Sequence, residues 1–269
     1  MGTNNNSNET KTGESGRKTW DIMETPRPVV TRTAERFPGE VTGAHDHPRS
    51  QLLYAASGVM TVKTDKGIWV VPPFRAVWIP AHTLHQVIVS TRLSMRTLYI
   101  EPEFFKDAPG SCCVISVSPL LKELILEAVK FPRLYPLNGP EERIMSVIVD
   151  QIQRMDITSV NLTIPKDPRL KAIYLGLDKN PGDRRTLEEW GKDVGATRRT
   201  LTRLFLSETA MTFGHWRQQI RILKSLTRLA ENEPVTTIAL DMGYENPSAF
   251  ISMFRKALGK TPGQYFASH

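Results

Sequence analysis

Two stretches near the C-terminal end decide the architecture: RRTLTRLFLSETAMTFGHWRQQIRILKSL at 198–226 and IALDMGYENPSAFISMFRKALGKTPGQY at 238–265. Each carries the grammar of two short helices meeting at a tight turn. A small residue is needed where the helices approach, a glycine in the turn about four residues later, and an apolar residue on the second helix to lock the angle. Gly191, Gly195 and Leu201 fill these places in the first unit, with Phe205 one turn on. Ala239, Gly243, Phe250 and Phe254 repeat the scheme in the second. The sequence predicts helix-turn-helix units over about 186–207 and 235–258. A capping box, Thr186-x-x-Glu189, opens the first, and Thr197 caps its second helix. Asn246 and Pro247 open the last recognition helix. Between the units Thr212–Ala230 reads as one long helix, whose stripe Trp216, Ile220, Leu223 is core. Upstream, Asp167-Pro168 starts a further helix and Asn180-Pro181-Gly182 ends it. One such unit is a weak signal, whereas two in register are a strong one.

These quoted segments resemble the DNA-binding domain of the AraC/XylS family of bacterial regulators, over about the last hundred residues. Ala210 departs from it, standing where many members have glycine. The resemblance implies seven helices and two recognition helices held by a linker helix, reaching adjacent major-groove segments. In helix 197–207, Leu201, Leu204 and Phe205 point inward, and Arg199, Thr202 and Arg203 fall on the opposite side. By resemblance these face the groove, with Arg198 beside them. Arginine can grip guanine through a bidentate pair, so Arg199 and Arg203 are the best specificity candidates; contact with phosphate alone is the alternative. The matching positions of the second helix, Pro247, Ser248 and Ser252, lack long donors, while Arg255 and Lys256 suit phosphates. The second unit is therefore expected to supply affinity more than sequence choice.

The front half reads differently. From Val29 to Tyr99 short segments rich in Val, Ile, Thr and aromatics alternate with turn residues, which predicts a β-sandwich or barrel. Residues 39–58 read G-x5-H-x-H-x3-Q-x6-G, with His45, His47 and Gln51, and 80–85 read PAHTLH. They resemble the two cupin motifs, with Gln51 in place of glutamate, His82 and Phe74 in place of glycines, and Val89 in place of asparagine. In metal-binding cupins these are ligand positions. His45, His47, His85 and Gln51 are thus candidates for holding a divalent metal (Zn, Fe, Ni or Cu). Alternatively, three neutral histidines line a polar pocket for a small organic effector. Arg49, Tyr54, Trp69 and Trp78 are the other effector-binding candidates, each also explicable as structural. Two amphipathic helices follow, one from Ser118 to Phe131 and one after Pro140 with Ile144, Ile148, Ile152 and Met155 on its stripe. They are expected to pack on the barrel or to dimerise.

The fold class expected is α+β. The 269 residues divide into a disordered tail (1–20), a cupin-like sensor (21–110), a helical pair suited to homodimerisation (111–156), a linker (157–166) and the all-α DNA-binding domain (167–269). Net charge is +7, with 40% hydrophobic and 23% charged residues, an ordinary globular balance with a basic surplus that favours a polyanionic partner. Residues 167–269 hold 16 Lys/Arg against 11 Asp/Glu. The adjacent cysteines Cys112 and Cys113 form no spaced framework, which fits a reducing cytoplasm. They read as small buried residues before they read as a redox or soft-metal sensor. No apolar run is long enough to span a membrane. The expected function is a regulator binding double-stranded promoter DNA, working with RNA polymerase if it activates, and answering a small-molecule or metal effector; the resemblance to regulators with a cupin front end implies a neighbouring transporter or efflux gene as a target. A metal-dependent cupin enzyme fused to a DNA-binding domain is the alternative, disfavoured by the C-terminal half.

Overall fold

The computed structural model of the protein describes residues 22–158 and 161–266; the tail expected at 1–20 lies outside them. The strands in chain order are β1 (Val29–Arg36), β2 (Ser50–Ser57), β3 (Met60–Thr64), β4 (Ile68–Val71), β5 (Arg75–Ile79), β6 (His85–Val89), β7 (Leu93–Ile100), β8 (Cys113–Ser116), β9 (Ile157–Thr158) and β10 (Asn161–Leu162). They pair antiparallel into a six-stranded sheet, β1-β7-β2-β5-β8-β9, and a four-stranded sheet, β10-β4-β3-β6. The helices are α1 (Pro119–Ala128), α2 (Pro140–Gln153), α3 (Pro168–Lys179), α4 (Leu187–Val194), α5 (Arg198–Thr209), α6 (Phe213–Ala230), α7 (Val235–Asp241), α8 (Pro247–Leu258) and α9 (Pro262–Phe266). This is the expected α+β architecture.

Successive strand side chains point to opposite faces, and here both faces of both sheets are covered. Leu53, Val71, Val77 and Val87 meet between the sheets. Leu52, Tyr54 and Trp78, on the outer face of the larger sheet, pack under α1 and α2 against Leu121, Ile125, Ile148 and Ile152. Ile68, Val70 and Leu162, on the outer face of the smaller sheet, join the core of the C-terminal helices. Two-sided burial explains why β2 and β4 read as unbroken apolar runs instead of alternating ones.

Several boundaries move. Residues 111–156 are not purely helical, because they open with β8, which pairs with β5. The inward stripe of α2 is Met145, Ile148, Val149 and Ile152, one step from the expected Ile144 and Met155; α2 lies on a sheet and turns its stripe to that surface. The linker expected at 157–166 contains two short strands: β9 pairs with β8 and β10 with β4, since even two residues gain ladder hydrogen bonds at an open sheet edge.

Three positions where the resembled motifs have glycine hold other residues here. Phe74 (φ 61°), His82 (φ 57°) and Ala210 (φ 55°) all keep the left-handed backbone. The glycine's conformation has survived the loss of the glycine, at a cost of roughly 1–2 kcal/mol for each side chain so held. At Ala210, the exposed C-cap of α5, Ala210→Gly should relieve that strain. We expect a gain of about 0.5–1 kcal/mol, read as a higher thermal midpoint.

Candidate functional site

The first helix-turn-helix unit forms as its residues dictate. Thr186 and Glu189 close the capping box, and Gly195 turns the chain at φ 66°. At Gly191 a Cβ would come within 2.3 Å of the Ala196 carbonyl oxygen, so only glycine lets α4 meet the turn. Thr197 accepts from the Thr200 N–H, and Leu201 and Phe205 are fully buried. What remains outward is Arg198, Arg199, Thr202, Arg203, Leu206 and Ser207, which together line one open concavity. Arg198 is held by Glu188 at 2.9 Å. Arg199 and Arg203 are exposed, with no acidic partner among the described residues.

The second unit, α7 and α8, is built alike. Asn246 accepts from the Ala249 N–H at 2.9 Å, Phe250 and Phe254 are buried, and Ser248, Ser252, Arg255 and Lys256 are exposed, with Pro247 partly so. Both units lean on α6, where Trp216 meets Phe205 (5.1 Å between ring centres) and Tyr174 (6.2 Å).

In the barrel, His45, His47 and His85 converge. One ring nitrogen of each lies within 4.8 Å of the others. His45 and His85 exchange both backbone hydrogen bonds, at 3.0 and 2.9 Å, which fixes their separation. The three Nδ1 atoms face the carbonyl oxygens of Gly43 (2.9 Å), Arg49 (2.6 Å) and Thr83 (2.8 Å). A carbonyl can only accept, so each Nδ1 carries the proton and each neutral ring keeps its lone pair on Nε2. Burial, with smaller repulsion from His45 and His47, pushes the His85 imidazole down to about 4, so it stays neutral near pH 7. Its Nε2 is buried without a hydrogen-bond partner. Gln51 Oε1 lies 3.1 Å from His47 Nε2; with the His47 proton on Nδ1, the Gln51 amide must turn so that its NH2 donates to that nitrogen. Converging lone pairs, with tautomers set by backbone carbonyls, are the arrangement a divalent metal needs. The residues present therefore fit a metal, with imidazole donors that suit Zn, Fe, Ni or Cu.

Beside the triad lies a cavity of about 240 Å³, lined by His45, Gln51, His85 and Tyr99 at its polar end, by Leu53, Val87, Leu93 and Met95, and by Arg32 and Arg36. The four effector candidates chosen from sequence do not line it. Arg49 is buried and spends its guanidinium on the carbonyls of Arg27 (2.7 Å) and Thr25 (2.6 Å) and on Glu101 (2.9 Å). Tyr54 and Trp78 lie on the outer sheet face under the helices, and the Trp78 indole donates to the Pro109 carbonyl oxygen at 2.9 Å. Trp69 is packed in the inter-sheet core. A large or charged side chain on these strands is drawn to whichever face has room and a partner, and for these four that is not the cavity. Burial pushes the Cys112 thiol up to about 12 and the Cys113 thiol up to about 11, which favours the protonated thiol near pH 7.

Residues 190–268 match the family described as a helix-turn-helix domain, and residues 27–134 that described as an AraC-like ligand binding domain. The HTH-type transcriptional regulator NimR of Escherichia coli (strain K12) is 32% identical over 223 residues, covering 83% of this chain and 81% of that protein. The chain belongs to the AraC/XylS family of DNA-binding transcriptional regulators. Regulatory protein SoxS of Salmonella typhimurium is 33% identical over 75 residues, 28% of this chain and 70% of that one. The solved structure of ToxT from Vibrio cholerae superposes with a TM-score of 0.37 at 11% identity, covering 89% of this chain and 98% of that one, too loosely to bear on fold or ligand. The relatives named are regulators, and the enzyme alternative finds no support among them.

In this AraC/XylS-family regulator the linker is tied to the DNA-binding half, and the two halves touch. The Trp216 indole donates to the Thr163 carbonyl oxygen at 3.1 Å. The Glu208 carboxylate on α5 accepts the backbone N–H groups of Lys166 (2.6 Å) and Asp167 (3.2 Å). Arg75 on β5 sits 4.6 Å over the Tyr265 ring. A cleft of about 530 Å³ separates Ile68, Val70 and Ile88 on the small sheet from Tyr174, Ile220 and Leu223. Among the described residues no helix is long and apolar enough to cross a membrane. Sequence reasoning missed the cavity residues Arg32, Tyr99 and Met95. The β1–β7 register that brings them to one face is not written in either strand alone. It also missed Leu206, exposed on the groove side of α5.

Proposed function

We propose that the family's effector site in this chain is a metal centre of His45, His47 and His85, with Gln51 beside it, opening into the barrel cavity. The observation that carries this is the convergence of one ring nitrogen from each of three histidines, with the buried Nε2 of His85 unpartnered. Bound metal, held by these residues, would supply a Lewis-acidic cation beside the cavity. The coupling follows from β6: His85, Val87 and Val89 face inward, and Ile88, on the opposite face, lines the interdomain cleft. A change in the barrel that shifts this strand shifts the surface against which the DNA-binding half rests, and so favours one disposition of the recognition helices. Arg199 and Arg203 read base edges, Arg255 and Lys256 hold phosphates, and the second unit contributes affinity more than choice. The protein works in the cytoplasm as a homodimer, formed through the helical face that leaves Leu120 and Val147 exposed, and meets RNA polymerase where it activates.

Elemental analysis of the purified full-length protein tests the metal centre. About one equivalent of Zn, Fe, Ni or Cu is expected in the parent and a small fraction of that in His47→Ala. A parent without stoichiometric metal, and unable to take it up, contradicts the centre and leaves a metal-free polar pocket.

A further inference from the structure

Resting on the metal centre just described, we propose that the barrel takes a small organic anion that chelates the metal and is held by Arg32, with a short apolar body. The register places Arg32 of β1 opposite Thr97 of β7, and Thr97 opposite Leu53 of β2. Directly opposed residues share a sheet face, and Leu53 lines the cavity, so Arg32 stands on the cavity side, lining the cavity while remaining open to solvent. Two positions along the same face, Tyr99 opposes Gln51, next to the triad. One wall therefore runs from the Arg32 guanidinium, past Tyr99, to the histidines.

Charge sets the sign of the ligand. Glu40 is spent on Arg36 at 3.1 Å and on the Phe37 N–H at 3.0 Å. Arg32 leans on the Tyr99 phenol, and no described carboxylate pairs with it. A divalent ion among three neutral imidazoles adds two further positive charges, against which stand only Glu40, shared with Arg36, and the exposed Asp46. A guanidinium fork and an open metal position are each matched by a carboxylate with a second donor atom beside it.

Size and lining set the rest. At about 240 Å³ the cavity lies below the ~300–1,000 Å³ of drug-sized sites, so the occupant has on the order of a dozen heavy atoms. Away from the metal the wall is Leu53, Val87, Val89, Leu93 and Met95, which wants a short aliphatic or single-ring body. The class is a 2-oxo or 2-hydroxy carboxylate of that size.

The test is calorimetric titration of the zinc-loaded, full-length protein with 4-methyl-2-oxopentanoate, with salicylate, and with the methyl ester of each. At least one acid is expected to bind one per chain, about tenfold or more tighter than its ester, and to need the zinc. Arg32→Gln is expected to weaken that acid about tenfold while leaving zinc content and ester binding unchanged; the retained zinc shows that the barrel is intact. Acids that bind no better than their esters, that bind equally without zinc, or that are indifferent to Arg32→Gln overturn the proposal and leave the metal centre standing. A protein that takes up no zinc overturns the metal centre and this inference together.

Discussion

Full-length protein carrying Arg199→Ala and Arg203→Ala is expected to lose its preference for its own operator while keeping most of its grip on unrelated duplex. Both arginines are exposed on the outward side of α5, with no acidic partner among the described residues. A guanidinium free of intramolecular pairs can form the bidentate contact that distinguishes guanine, worth about 1–3 kcal/mol each. Together that is a loss of specific affinity of at least about 30-fold. Non-specific affinity, carried by phosphate contacts from Arg255, Lys256 and the other surface cations, should fall only several-fold. Ser252→Ala in the second unit is expected to move either quantity by less than about threefold, within about 0.6 kcal/mol. Anisotropy titrations with operator and scrambled duplex measure all of this. If Ser252→Ala abolished sequence preference while the double arginine variant kept it, the assignment of reading and gripping to the two units would be reversed.

The second large effect is structural. Trp216 is fully buried at the centre of the C-terminal core, touching Phe205 and Tyr174 and bonded to the Thr163 carbonyl oxygen. Trp216→Ala leaves a large cavity and is expected to cost about 3–5 kcal/mol, a large share of a typical domain's ~5–15 kcal/mol. The DNA-binding half should unfold at a much lower temperature than in the parent, and operator binding should fail near physiological temperature. Trp216→Phe keeps most of the packing and drops the indole N–H, so it isolates the bond to Thr163 at about 1 kcal/mol. Thermal melts of the three proteins, followed by far-ultraviolet circular dichroism, separate packing from that hydrogen bond. Equal midpoints in all three would mean that α6 is not the keystone described here.

The C-terminal half was readable because its signals are local. Asp167, Thr186, Thr197 and Asn246 each accept a backbone N–H at the start of the helix they were expected to cap. Leu201, Phe205, Phe250 and Phe254 repeat at helical spacing and are all buried. The histidine triad was readable for a similar reason: residues two apart in extended chain point the same way, and one bridge to His85 completes the group. The effector cavity was not readable. With Leu52 and Leu53 both buried on opposite faces of β2, the alternation that normally separates inside from outside is erased. Tyr54 and Trp78 were therefore indistinguishable from cavity residues until the sheets were seen. β1, with the weak pattern VVTRTAER, gives no sign from its own residues that Arg32 faces the barrel interior. β9 and β10, two residues each, exist because sheet edges were open beside them.

The central claim is that paired helix-turn-helix units read duplex DNA. Selection of sites by the full-length protein from a pool of random-sequence duplexes tests it most directly, followed by affinity measurements between about 50 and 200 mM salt. The account predicts one enriched site with two elements about a helical turn apart, the first rich in guanine contacts, and an affinity that falls steeply as salt rises. A pool that emerges without any enriched sequence, from a protein shown to be folded, would contradict it.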